Sequence, residues 1–302
     1  MSFAVRACLL AVLIAGAIGL VATPVFAASG RIQFQSGGVT RSAFLVEHER
    51  LKRGARATVI VLHGGAGSGL RARRNLGLED VIGSQGVVIV YPDAIDGTWD
   101  QSDGGSRRDI QMLRDLIRKL VDERITDRNR VYLLGVSTGG MLALRFACEN
   151  ANALAAVGSL IATMPEPLAA SCKPSKPLPT VLLVGTADPF VPYGGGAANL
   201  RDFRDRVASV DATLAPFKAS AGCGGLVSQT QFADKDVKDQ TRVFIDNFKD
   251  CKAPVELVRV EGGGHTIPGR WAGPEREEAA GPHNKDVDAA RLVWEFLRRS
   301  GA

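Results

Sequence analysis

The chain has 302 residues, 45% of them hydrophobic and 23% charged, with a formal net charge of +5 at pH 7. That is enough chain for one large domain with a well-buried core. Its basic residues fall in small groups, such as Arg71, Arg73 and Arg74, or Arg298 and Arg299. No long basic stripe with interleaved aromatics occurs, which argues against a nucleic-acid partner.

Residues 1–27 read as a cleaved export signal. Arg6 supplies one positive charge, Ala7–Val21 is almost wholly apolar, and Val25 and Ala27 stand where a signal peptidase wants small residues. The apolar run falls short of the roughly 20 residues that a membrane-spanning helix needs. No stable membrane association is therefore expected after cleavage. Residues 28–302 are expected to form a single domain.

Along that domain, Ala57–Leu62, Val87–Tyr91, Val131–Leu134 and Val181–Val184 are nearly continuous apolar or β-branched runs, as strands buried on both faces are. Between them, Asp109–Arg124 puts Ile110, Leu113, Ile117, Leu120 and Val121 on one helical face. Met141–Ala147 and Val287–Leu297 read as further helices, and Val255–Val260 alternates as an outer strand does. The rhythm is βαβ, which predicts an α/β fold: a mostly parallel central sheet with helices on both faces. Two loops rich in Gly and Pro, Asp188–Ala197 and Glu261–Pro282, each follow a strand. In this fold class functional groups gather at the carboxyl ends of strands. Residues 202–252 exceed a plain crossover, and a small cap over the site is expected there.

The sharpest local feature is Gly135-Val136-Ser137-Thr138-Gly139-Gly140, directly after one strand and opening a helix. A serine on so tight a strand-to-helix turn projects above the sheet edge, and small residues two positions to either side let strand and helix pack closely. A hydroxyl is weakly nucleophilic, so it needs a base within hydrogen-bond reach and a third group to orient that base. The chain has four histidines. His48 lies in a charged stretch before the core strands, and His63 follows the first central strand, where it is expected to brace a loop. His283 precedes the final helix. His265, in Gly262-Gly263-Gly264-His265 after the late strand, sits where the base is expected, with His283 as second choice. The acid should fall between Ser137 and His265 and follow a strand, which selects Asp188. Asp202, Asp205 and Asp211 read as solvated charges.

Backbone N–H donors must face the developing oxyanion. One is expected from Thr138, next to the nucleophile. The other is expected from Leu62-His63-Gly64-Gly65-Ala66-Gly67, at Gly65. Four cysteines follow the signal: Cys148, Cys172, Cys223 and Cys251. An even number in an exported chain points to two disulfides. Pairing in sequence order would close two local loops, and the spacings alone leave two other connectivities open.

These segments together resemble the polyhydroxybutyrate depolymerase-like esterases, relatives of feruloyl and acetylxylan esterases in the α/β-hydrolase superfamily. The likeness runs from about Ala57 to Leu297. It is carried by Leu62-His63-Gly64-Gly65, Asp96-Gly97-Thr98-Trp99, Asp127–Tyr132, Gly135–Met141, Gly185–Tyr193 and Gly262-Gly263-Gly264-His265-Thr266. The resemblance implies Ser137 as nucleophile, Asp188 as acid, His265 as base, an oxyanion loop at Gly65, and a bridge between Cys148 and Cys172. Three positions depart from the usual pattern: Thr138 where asparagine is usual, Val184 where histidine often stands, and Ile267 where tryptophan is common. The last bears on the acyl pocket.

The reaction so expected is hydrolysis of a carboxylic ester through an acyl-serine intermediate, on a small or oligomeric substrate, with no metal or organic cofactor called for. A peptidase of the same fold and a non-catalytic polymer- or carbohydrate-binding protein are the competing readings. The complete set of Ser137, Asp188 and His265 disfavours the binding protein. Trp99 and Trp271 lie in loops near the proposed site, where they are expected to line a pocket for a sugar or phenolic ring. Two tryptophans make a poor surface for gripping solid polymer, so soluble esters of short or aromatic acids are the expected substrates.

Overall fold

The computed structural model describes residues 28–47, 54–100, 107–270 and 278–300. The expected signal, His48 and Trp271 lie outside the described residues. The chain opens with a hairpin of β1 (Ala28–Ser36) and β2 (Val39–Glu47). Its two-residue turn, Gly37-Gly38, has φ of 57° and 78°, the backbone of a turn that matches strand twist and that glycine enters without penalty.

Then come β3 (Arg56–Leu62), α1 (Gly69–Leu76), α2 (Leu78–Ile82), β4 (Val88–Pro92), α3 (Arg108–Asp122), β5 (Thr126–Val136) and α4 (Thr138–Asn150). They are followed by β6 (Ala156–Leu160), α5 (Glu166–Ser171), β7 (Thr180–Gly185) and a short ribbon of β8 (Gly196–Ala197) with β9 (Arg206–Val207). The chain ends with α6 (Val210–Ala221), β10 (Leu226–Gln231), β11 (Arg242–Phe248), β12 (Val255–Glu261) and a last helix, here α7 (Ala289–Ser300).

Ten strands form one sheet in the order β1-β2-β4-β3-β5-β6-β7-β12-β11-β10. The six central strands, β4 to β12, run parallel, and an antiparallel pair extends each edge. Alternate residues feed two cores. Ile60, Leu62, Leu133 and Leu182 meet α3, α4 and α6 on one face. Val59, Val61, Leu134 and Leu183 meet α1, α2 and α7 on the other. Both faces being covered, the strands read as unbroken apolar runs rather than alternating ones.

Two local readings change in the structure. On α3 the buried stripe is Ile110, Met112, Leu113, Leu116 and Leu120, so the inward face is rotated away from Val121. Residues 202–252 are not a cap: α6 is a crossover helix, and β10 and β11 extend the sheet. Of this stretch, Asp202 and Arg204, in the loop between β8 and β9, line the cleft described below. Cys148 is joined to Cys172 and Cys223 to Cys251, the pairing in sequence order. The first ties the end of α4 to the end of α5; the second ties the end of α6 to the β11–β12 turn.

Among the described residues, one arginine–carboxylate pair is fully buried. Arg41 Nη2 on β2 lies 2.6 Å from Asp109 Oδ1 on α3, with side chains 2% and 1% exposed. Asp109 Oδ2 also accepts the Asp100 N–H at 2.7 Å, which anchors the loop after β4.

Candidate active site

Ser137 stands between β5 and α4 with φ 53° and ψ −125°, a strained conformation for a residue with a side chain. What imposes it is the closeness of strand and helix. A Cβ at Gly135 would overlap the Gly139 carbonyl, and one at Gly139 would overlap the His63 carbonyl. The turn thus lifts the Ser137 hydroxyl over the carboxyl ends of β3 and β5.

His265 Nε2 lies 2.9 Å from Ser137 Oγ, and His265 Nδ1 lies 2.7 Å from Asp188 Oδ2. Asp188 is held in turn: its Oδ1 accepts the N–H groups of Phe190 and Val191, each at 2.8 Å. The Phe190 ring and the imidazole pack nearly perpendicular to each other, centroids 5.4 Å apart. The glycines before His265 have a packing reason. A Cβ at Gly264 would overlap the Ala280 carbonyl, and one at Gly185 would overlap that of Gly263. Residues 280–282 clasp the loop, accepting the N–H groups of His265 and Gly264 at 2.6 and 2.8 Å. His283 does not meet Ser137; its Nε2 lies 3.0 Å from the Ile267 carbonyl, beneath the same loop. Serine, imidazole and buried carboxylate therefore form one chain of hydrogen bonds, able to take a proton from the hydroxyl and hold the charge that results.

The comparisons with known proteins agree in kind. Residues 91–220 match the Phospholipase/Carboxylesterase family. The chain is 28% identical over 263 residues to the candidate esterase NocK of Nocardia uniformis subsp. tsuyamanensis, covering 80% of this chain and 74% of that protein. It is 24% identical over 194 residues to feruloyl esterase B of Piromyces equi, where the match covers 60% of this chain and only 34% of the relative. The acetyl xylan esterase from Aspergillus awamori superposes with a TM-score of 0.57 at 13% identity, over 82% of this chain and 98% of that one. This chain has an α/β-hydrolase type of fold and is a hydrolase acting on ester bonds.

In this hydrolase the loop after β3 is braced from behind by His63. The Ala94 N–H donates to His63 Nε2 at 3.1 Å, so that nitrogen carries no proton. Nδ1 is then the protonated one and donates to the Gly64 carbonyl at 2.7 Å. Burial lowers the His63 pKa, keeping the ring neutral. Trp99 belongs to the same brace and is not among the residues that line the cleft beside Ser137. It is 1% exposed, its indole N–H donates to the His63 carbonyl at 2.7 Å, and the two rings lie 4.5 Å apart. The structure brings Gly64 against Ser137: a Cβ at Gly64 would come 3.3 Å from that of the serine. Thr138 is the first residue of α4, at the positive end of the helix dipole.

Asp202, which the sequence presents as a solvated charge, packs against both expected oxyanion residues. Its Oδ2 accepts the Thr138 hydroxyl at 3.4 Å, and its carboxylate occupies the space a Cβ on Gly65 would need. No local sequence signal marks it, because the contact joins segments 64 positions apart. A cleft of about 550 Å³ opens beside Ser137, with Leu76, Ile161, Phe190 and Ile267 among its lining residues. Ile267, at one of the departures from the family pattern, is thus a wall residue. Ile161 holds φ 48°, an uncommon value for a β-branched residue, and its N–H donates to the Leu183 carbonyl at 2.6 Å.

Proposed function

We propose that this hydrolase is an exported serine esterase that cleaves carboxylic esters through an acyl-Ser137 intermediate. The observation that carries this reading is the hydrogen-bonded row from Ser137 through His265 to Asp188. Ser137 Oγ attacks the ester carbonyl while His265 Nε2 takes its proton. Asp188 Oδ2 holds the Nδ1–H and so steadies the imidazolium. The oxyanion is received by N–H groups of Thr138 and the Gly65 loop. The imidazolium then protonates the departing alcohol, and water, activated by the same histidine, releases the acid.

The substrates that fit are soluble esters of short or aromatic acids: acetyl or feruloyl esters of plant polysaccharide, and hydroxybutyrate oligomers. A cleft lined in part by Leu76, Ile161, Phe190 and Ile267 suits an acyl chain or a phenolic ring, and the names of the relatives point the same way. Solid polyhydroxybutyrate should be cleared slowly or not at all, because a cleft of this form offers no flat apolar sheet to a crystal surface. Export is supported by the two disulfides and by the signal-like first residues. The test is a panel of p-nitrophenyl acyl esters, methyl ferulate, acetylated xylan and hydroxybutyrate oligomers, beside fluorophosphonate labelling of Ser137. Rapid clearing of a polyhydroxybutyrate suspension with little action on soluble esters would overturn the substrate reading. Failure of Ser137 to label would overturn the mechanism.

A further inference from the structure

Among the described residues beside Ser137, arginines outnumber carboxylates. Arg71, Arg201, Arg204 and Arg270 all line the cleft, and the one carboxylate among its described lining residues is Asp202. Arg270 is held by Asp288, Nη2 to Oδ2 at 2.8 Å. Among the described residues, the other three have no carboxylate partner. Arg71 Nη1 donates to the Ala66 carbonyl at 2.9 Å, and Arg204 Nη1 reaches the Asn199 side-chain oxygen at 3.5 Å. Asp202 forms no ion pair with any of the three; its carboxylate accepts the Thr138 hydroxyl and packs on Gly65.

The loop that carries Arg201 and Arg204 is a fixed platform. It joins β8 to β9, and its apolar residues Leu200 and Phe203 are buried in a small core with Met141 and Val207. The Leu200 N–H donates to the Phe203 carbonyl at 3.1 Å. With Leu200 and Phe203 pinned, Arg201 and Arg204 are left exposed at the cleft. Hydrolysis of a neutral ester uses none of these guanidiniums.

We infer that the cleft selects esters bearing a second group that is anionic, a carboxylate, on either the acyl or the alcohol part. Guanidiniums present planar forks that grip carboxylates in two bonds. A cleft lined by one sign of charge also concentrates ligands of the other. This rests on the esterase reading above and adds the substrate's charge to it.

The test compares matched pairs on the purified full chain at low ionic strength. For the acyl side, the pair is p-nitrophenyl butyrate against mono-p-nitrophenyl succinate; for the alcohol side, phenyl acetate against 3-carboxyphenyl acetate. The anionic member of at least one pair should show a kcat/KM at least tenfold higher, and the pair that responds assigns the side. The preference should collapse in 0.5 M NaCl, as screening requires, and in the double variant R201A/R204A. The control R118A, on the outer face of α3, should keep it. Equal or faster hydrolysis of the neutral member in both pairs overturns the inference while leaving the esterase intact. So does a preference that survives both salt and the double variant. If neither member of either pair is cleaved and Ser137 resists fluorophosphonate, the esterase reading falls and the inference with it.

Discussion

The indole N–H of Trp99 donates to the carbonyl oxygen of His63 at 2.7 Å while the centroids of the two rings lie 4.5 Å apart, their planes tilted by 30°. That contact joins the loop after β4 to the loop after β3, and both His63 ring nitrogens are committed to backbone groups besides. The pair holds the Gly64–Gly65 backbone at a set distance from Ser137.

Trp99→Phe keeps the ring and loses the donor. Its kcat should fall about tenfold with little change in KM, as displacement of an oxyanion donor would produce. A rise in KM at unchanged kcat would instead place Trp99 in substrate binding.

His63 also makes a pH signature. Its folded pKa lies below the ordinary value of about 6.5. The unfolded chain therefore binds more protons through that window, and the stability due to the neutral ring is complete above about pH 6.5 and lost as pH falls through the lowered pKa. The wild-type melting temperature should drop between pH 7 and pH 5, and His63→Gln should flatten that part of the slope. Parallel slopes in the two proteins would show that His63 is not the group responsible.

Ser137→Ala should remove turnover, with His265→Ala nearly as damaging and Asp188→Asn somewhat less so, losses of about 10⁴-fold or more being usual for such a set. The effects should not add, since the three act as one unit. More than a few per cent of the wild-type rate in Ser137→Ala would refute the nucleophile assignment, and a dead His283→Ala beside an active His265→Ala would move the base.

Arg41 and Asp109 bury opposite charges with almost no access to water. Asp109→Ala should cost about 3 kcal/mol or more in urea unfolding, because it strands a buried guanidinium. Arg41→Met with Asp109→Leu should recover most of the loss. A single variant within 1 kcal/mol of wild type, to use a round threshold well under that estimate, would mean that water reaches the site.

The disulfides close loops with sequence separations of 24 and 28, each worth about 3 kcal/mol on the chain-entropy account. Peptide mapping without reductant should recover Cys148 with Cys172 and Cys223 with Cys251, and dithiothreitol should lower the melting temperature. Four free thiols in protein from an exported fraction would contradict the pairing and the export proposal together.

Strand-forming runs such as Val59–Leu62 and Leu182–Val184 were legible because burial on both faces leaves a continuous apolar signature. The turn at Ser137 was legible because its glycines are demanded by local backbone packing. Strand β6 was not, since Ala156-Val157-Gly158-Ser159-Leu160 is too short and small: a Cβ on Gly158 would crowd Leu134, and Ser159 lies under Gly140. Hairpin β1–β2 announced itself only by Gly37-Gly38, and β10–β11 carries polar residues because an edge strand does not need an apolar run on both faces.

The sequence by itself determined the alternation of strands and helices, the serine at its elbow, and which histidine and aspartate could serve it, since each depends on neighbours along the chain. Only the tertiary structure decided that Trp99 stands behind the oxyanion loop, that Asp202 presses on Gly65, and that three arginines with no carboxylate partner among the described residues border one cleft. Those relations join loops far apart in sequence, and what brings such loops together is the order of strands in the sheet, which no local pattern encodes.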